Sequence, residues 1–220
     1  MVVKNENCRS IMETMVNEIH ANKQYLGDID GLIGDGDHGM NMNKGFMTYI
    51  ERLGDKETSL TDGLYELGSV LFNEIGGSMG PIYGTIFMEM SDKLGDAEDI
   101  ALDTFIEMLD AGLNGLYEIV DARPGDKTLV DTLTSAINGL KQAASEDKSF
   151  AEALDIMKDC AEAGKESTKD MMAKYGRASR LGERSRIQNP AGAYLFLQLY
   201  RQSDILKAPL LPEPPLLTAI

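Results

Sequence analysis

The segment Ile33-Gly34-Asp35-Gly36-Asp37-His38-Gly39-Met40-Asn41-Met42-Asn43 packs three glycines, two aspartates, a histidine and two asparagines into one short stretch. Asp30 adds a third carboxylate five residues before Asp35. Carboxylates this close repel one another unless a cation sits among them. Asp35 and Asp37 are two residues apart, and a tight glycine turn can aim both at one point. Hard carboxylate oxygens with no cysteine nearby suit Mg²⁺ or Ca²⁺ better than Zn²⁺. The segment therefore reads as a loop that holds magnesium and, through it, a nucleotide phosphate.

Plainer readings compete with this one. A Gly/Asp/Asn cluster between helices is most often a turn followed by an N-cap. The run Gly34-Asp35-Gly36-Asp37-His38-Gly39 also spells the dinucleotide fingerprint G-x-G-x-x-G. No β-branched strand precedes it, and its carboxylates would face a pyrophosphate directly. An EF-hand counted from Asp35 puts Gly39 at the fifth position and Phe46 at the twelfth, where a bidentate Glu belongs. Gly164-Lys165 lacks the upstream glycine of a Walker A loop. Of the two histidines, His38 lies in the loop, whereas His20 falls just beyond the apolar stripe of a helix and is expected at the surface.

The elements that must position this loop are helical almost throughout. Apolar residues recur at helical spacing in eight stretches, among them Cys8-Ile11-Met12-Met15-Ile19, Leu64-Leu67-Leu71-Ile75 and Leu129-Leu133-Ile137-Leu140. Ser149 stands three before Glu152, a capping box that opens a seventh helix running on to Met171. Pro190 suits the first turn of the eighth, which carries Ala193, Phe196, Leu199 and Tyr200. No strand alternation stands out, so the expected fold class is all-α, an antiparallel bundle with short connections. In such an array the loops before the second, fourth, sixth and eighth helices share one end. They read Gly34–Gly39, Gly76-Gly77-Ser78-Met79-Gly80-Pro81, Arg123–Thr128 and Gly176 to Gly192. One end thus collects aspartates, backbone amides at helix N-termini and arginines, the inventory for Mg²⁺ and phosphates. Of Arg177, Arg180, Arg184 and Arg186, one or two could clamp phosphate, and at least half are expected in surface pairs.

The chain of 220 residues is long enough for one domain over 1–207, with a proline-rich tail over 208–220. Its 21 Lys+Arg against 36 Asp+Glu give a net charge of −15. That balance disfavours nucleic acid and anionic membranes as partners. Cys8 and Cys160 fall on apolar stripes and read as reduced core residues. No apolar run approaches the roughly 20 residues that span a bilayer, and the N-terminus lacks a signal-peptide pattern, so the expected place is the cytoplasm.

These loops, in this order, resemble the L subunit of dihydroxyacetone kinase, the nucleotide-binding subunit. The resemblance runs from about Ile29 to Leu199 and is specific at Ile33–Asn43, at Pro124-Gly125-Asp126-Lys127-Thr128 and at Gly176–Ser185. The His38 form of the loop looks like the stand-alone bacterial subunit. The resemblance implies an eight-helix antiparallel barrel with ADP or ATP at one end and two Mg²⁺ ions on Asp30, Asp35 and Asp37. It implies nucleotide contacts at His38, Asn41, Gly77, Ser78, Met79 and Leu129, and from Asn189 and Pro190 in the last loop. Arg177 matches a nucleotide-binding arginine and takes the catalytic role. The implied partners are a K subunit that holds the ketose and a phosphohistidine carrier of the phosphotransferase system that recharges the bound ADP. A transcriptional regulator and a second copy of the chain in a homodimer complete the expected partners.

Three features depart from the family pattern. Met79 stands where a serine is usual, with Ser78 one position earlier. Asn189-Pro190-Ala191 replaces an Asp-Pro-Gly, with one residue fewer before it. The apolar tail from Ala208 to Ile220 is long. The leading reading is a phosphotransferase subunit acting on dihydroxyacetone or a related short ketose. A nucleotide-sensing regulatory paralogue without turnover, an ATP-dependent kinase subunit and the nucleotide domain of a fatty-acid kinase are the alternatives.

Overall fold

The computed structural model describes residues 2–201, with side chains through Phe196. The tail over 208–220 and the side chains of Leu199 and Tyr200 lie outside the described residues. Eight helices follow one another: α1 (Arg9–Ile33), α2 (His38–Leu53), α3 (Leu60–Glu74), α4 (Met79–Leu94), α5 (Leu102–Ile119), α6 (Leu129–Ser145), α7 (Phe150–Ser167) and α8 (Ala191–Arg201). Each packs on the next, and α8 returns to α1 to close the ring. The apolar stripes face inward and merge into one core, in which Phe46, Leu67, Phe87, Ile137 and Leu154 are fully buried.

Local chemistry fixes where the helices start. Ser59 accepts the backbone N–H of Asp62 at the head of α3. Thr128 with Asp131 and Ser149 with Glu152 form reciprocal capping boxes at α6 and α7. α7 stops at Ser167 instead of running to Met171, and Thr168–Asp170 tightens into a 3-10 turn. The Ser167 and Thr168 hydroxyls donate back to the carbonyls of Gly164 and Lys165, each at 2.7 Å, which competes with continued helix at that point.

One element escaped the sequence reading. β1 (Val3–Lys4) pairs antiparallel with β2 (Asp99–Ile100), with Val3 opposite Ile100. Two-residue strands are too short to show alternation. The buried Asn5 fastens the same corner: its amide donates to Thr61 Oγ1 at 2.9 Å and to the Ala97 carbonyl at 2.7 Å. The N-terminal arm and the loops after α2 and α4 thus gather at one end of the ring. The loops before α2, α4, α6 and α8 gather at the other, around a shared cleft.

α3 and α4 cross with backbone against backbone. A Cβ at Gly84 would lie 2.8 Å from the Gly68 carbonyl oxygen and 2.8 Å from the Phe72 Cβ. Gly84→Ala is therefore expected to cost about 1–3 kcal/mol in urea unfolding. Gly76→Ala, whose Cβ meets nothing within 4 Å, should lie much nearer wild type.

Candidate functional site

α1 runs about four turns further than its apolar stripe suggested, so Asp30 projects from its last turn rather than from the loop. The chain then doubles back along α1 through Gly34–Asp37 and enters α2. This return is possible only at glycines. A Cβ on Gly39 would stand 1.9 Å from the Lys23 carbonyl oxygen, and a Cβ on Gly27 3.2 Å from the Gly36 carbonyl oxygen. Gly36 itself has φ +78°, a left-handed conformation that glycine adopts without strain. Gly27 and Gly31, on the α1 side of this contact, are structural partners of the loop that the motif alone did not flag.

The result is the expected convergence. Carboxylate oxygens of Asp30, Asp35 and Asp37 all lie within 4.8 Å of one another, the one such acidic, histidine or cysteine group among the described residues. Asp30 Oδ2 accepts the Gly36 backbone N–H at 2.9 Å, which fixes the loop on the helix. Asp37 occupies the N-cap position of α2, but its carboxylate caps no backbone amide. It accepts instead from the Asn41 side-chain amide at 3.0 Å. The plain reading of a turn plus N-cap therefore fails at the residue where it should hold.

Electrostatics mark the cluster as short of positive charge. Burial raises the Asp37 carboxyl above its ordinary range, and the charges of Asp35 and Asp30 raise it further, with Arg177 opposing. Two like unit charges 4 Å apart repel by about 1 kcal/mol in water and about 4 kcal/mol at a protein surface. One cation is at hand: Arg177 Nη2 lies 2.7 Å from Asp35 Oδ2. That pair is solvent-exposed, and exposed pairs contribute only about 0–1 kcal/mol. The chemistry of the donor set, all oxygens crowded on one point, fits a hard divalent ion.

His38 opens α2 beside this cluster. Its Nε2 lies 2.9 Å from the Tyr83 hydroxyl, and Tyr83 stacks on Phe196 with centroids 5.7 Å apart. Burial lowers the imidazole to about 4, against the raising effect of Asp30 and Asp35, so His38 is neutral at pH 7. The chain His38–Tyr83–Phe196 ties the loop to α4 and α8.

The carboxylates stand at the mouth of a cleft of about 480 Å³. Ser78, at the start of α4, and Arg177 form its polar rim; Met79, Ile82, Leu116, Leu129 and Val130 give it an apolar wall. Pro190, Ala191 and Gly192 close one side. Ser78 makes no side-chain cap to α4, so the first amides of that helix remain available. Gly77 lies exposed in the turn before it and outside the cleft wall, and Asn41, half-buried in the first turn of α2, is also outside that wall.

One predicted contributor, and one residue of a motif that carries the resemblance, point elsewhere. Asn189 is 3% exposed, and its amide donates to the Lys165 carbonyl at 2.6 Å and to Thr168 Oγ1 at 3.0 Å. Its side chain is spent on the end of α7, not on the cleft. Lys127, in the Pro124–Thr128 motif, is 2% exposed and its ammonium donates to the Thr168 carbonyl at 2.5 Å. It neutralises a helix C-terminus rather than reaching for phosphate. The amides of Gly125 and Thr128 are also taken, by Asp131 at 2.6 and 2.8 Å. Asp126 accepts from Arg123 N–H at 2.8 Å and pairs with Lys174 at 2.5 Å. The motif thus acts as a rigid shelf beside the cleft. Among the remaining arginines, Arg186 pairs with Glu183, while Arg180 and Arg184 form no ion pair among the described residues. His20 is exposed, as expected, and Cys8 and Cys160 are both free.

The DAK2 domain model matches residues 32–203, and the chain belongs to the DAK2 domain family. It is 38% identical over 183 residues to the PEP-dependent dihydroxyacetone kinase 1, ADP-binding subunit DhaL, of Listeria innocua, covering 83% of this chain and 86% of that protein. It is 36% identical over 165 residues to the corresponding ADP-binding subunit DhaL of Escherichia coli, covering 74% of this chain and 78% of that one. The dihydroxyacetone kinase of C. freundii, solved in complex with AMP-PNP and Mg²⁺, superposes with a TM-score of 0.67 at 20% identity over 90% of this chain. The chain spans about a third of that structure's length (33%), and the likeness shows that the all-α fold is shared.

The shelf makes a pH-dependent contribution. The Lys174 hydrogen bond holds Asp126 below its ordinary carboxylate range, so its stabilisation is complete above that range and fades as pH falls through the lowered value. Asp126→Asn is expected to lower the thermal midpoint at pH 7, and the gap to wild type should close between about pH 4 and lower values.

Proposed function

We propose that this chain is the nucleotide- and magnesium-binding subunit of a kinase for dihydroxyacetone or a related short ketose. The observation that carries the reading is the set of Asp30, Asp35 and Asp37 oxygens within 4.8 Å of one another at the polar mouth of a cleft with an apolar wall. A nucleoside diphosphate has the matching polarity, with charge at one end and a flat base at the other. The relatives named as ADP-binding subunits support the same assignment.

In this reading Asp30, Asp35 and Asp37 hold two Mg²⁺ ions. When bound, these supply the positive charge that balances the phosphoryl oxygens during transfer. Arg177 leaves its exposed pair with Asp35 to clamp phosphate through its fork of donors, the catalytic role assigned to it. The free amides at the start of α4, from Ser78 and Met79 onward, receive a phosphate oxygen by backbone N–H. A methionine in place of serine at position 79 therefore removes a side-chain donor without removing that backbone set. His38, kept neutral by burial and hydrogen-bonded to Tyr83, and Asn41, which donates to Asp37, position the metal loop. Leu129, with Ile82 and Val130, shields the base, and Pro190 packs the edge. Asn189 acts through α7 rather than by touching the nucleotide.

The phosphoryl group passes from a phosphohistidine carrier of the phosphotransferase system to the bound ADP, and from ATP to the ketose on a separate K subunit. The nucleotide is then a resident cofactor of a cytoplasmic, dimeric subunit, and residues 1–207 form its one domain.

Native mass spectrometry of protein purified in Mg²⁺ tests this reading. An adduct of ADP plus two Mg²⁺ is expected, and it should leave on treatment with EDTA. Asp35→Asn should weaken metal-dependent ADP retention at least roughly 100-fold. Retention of ADP that is indifferent to EDTA and to Asp35→Asn would sink the metal assignment.

A further inference from the structure

α4 carries a hydroxyl into the wall of the cleft. Tyr83 lines the cleft and is 1% exposed, with its ring stacked on Phe196. Its O–H has one hydrogen-bond partner among the described residues, His38 Nε2 at 2.9 Å. The two rings meet edge to face, 85° apart and with centroids 5.7 Å apart. The hydroxyl fills its space: a Cβ on Gly192 would stand 2.9 Å from it. The glycine at the start of α8 leaves room for that oxygen, so the pair is enclosed by α2, α4 and α8.

The positions of the protons follow from this enclosure. A phenol holds its proton at neutral pH, and burial with the charge of Asp30 raises Tyr83 further. The proton must find an acceptor, because buried hydroxyls are nearly always paired. Nε2 is the acceptor within reach, so it carries no hydrogen. In a neutral imidazole the one hydrogen then sits on Nδ1. The opposite arrangement, Nε2–H donating to the phenol oxygen, would leave the Tyr83 proton without an acceptor. Nδ1 has no hydrogen-bond partner among the described residues, and His38 itself lines the cleft near the charges of Asp30 and Asp35. The ring thus offers an uncommitted N–H, where the other tautomer would offer a lone pair. A lone pair repels an anionic oxygen; an N–H donates to one.

We propose that Tyr83 is a positioning residue of the nucleotide site: it locks His38 in the Nδ1–H form and so keeps a neutral donor ready for a phosphate oxygen of the bound nucleotide. This inference rests on the nucleotide reading above and adds the group that sets the donor. Tyr83 acts here through His38. A neutral N–H serves the anion without adding a charge that would repel the metal ions.

Long-range ¹H–¹⁵N correlation NMR of the imidazoles, on the full chain without nucleotide, tests the lock. At about pH 8 an imidazole of ordinary value is already neutral. The chain has two histidines, and His20→Gln identifies the signals of His38. Wild type is expected to show His38 as the Nδ1–H tautomer alone. Tyr83→Phe, which keeps the ring on Phe196, should shift it toward the Nε2–H form that free histidine favours. The same substitution should weaken Mg-ADP about 3- to 10-fold in isothermal titration. A His38 proton on Nε2 in wild type overturns the proposal, and so does Mg-ADP affinity that Tyr83→Phe leaves unchanged. Wild type that shows the expected tautomer but binds no Mg-ADP overturns the nucleotide reading, and the donor role with it.

Discussion

The approach of the aspartate loop to α1 leaves no room for a side chain at Gly39, where a Cβ would lie 1.9 Å from the Lys23 carbonyl oxygen. The geometry of the site follows from this contact. It lets the chain reverse along the helix it has just left, so that Asp30 from the last turn of α1 and Asp35 and Asp37 from the return meet at one point. Without it the carboxylates would spread apart, as like charges do in water. The glycines are therefore the mechanical counterpart of the aspartates: one set forces the approach that the other resists. The Asp37 carboxyl is raised above the ordinary range by burial first and by the charges of Asp35 and Asp30 after it.

The surrounding ring holds this arrangement from several sides. His38 is anchored through Tyr83 to α4 and through Phe196 to α8. The shelf of Asp126, Lys127 and Asp131 joins the start of α6 to the end of α7. Asn189 fastens the entry to α8 at the same end of α7, on the Lys165 carbonyl and the Thr168 hydroxyl. Arg177 alone among the polar rim is held by an exposed contact. A rigid floor with one movable cation suits a site that must exchange an internal charge partner for a ligand.

Much of this was legible in the residues. The helical stripes located all eight helices, because each buries one continuous apolar face. The aspartates were legible because three carboxylates at that spacing have few other uses. Less legible were interactions between residues distant in sequence. Lys127 sits in a motif that suggests phosphate, but its partners are carbonyls 41 and 42 positions away. Asn189 is likewise turned by a helix end that its own neighbourhood does not announce. Gly27 and Gly31 look like weak points in a helix until the loop that covers them is seen. The paired strands are two residues each and carry no periodic signal.

The burial of Lys127 has a chemical corollary. At 2% exposed and bonded to two carbonyls, its amine is closed to acylating reagents, whereas Lys174, a short way along on the same shelf, stands open with a side chain 58% exposed. The two lysines form an internal pair of reporters, one silent and one reactive. Covalent footprinting of that pair distinguishes an intact α6–α7 junction from a loosened one, without a nucleotide, a metal or an activity assay.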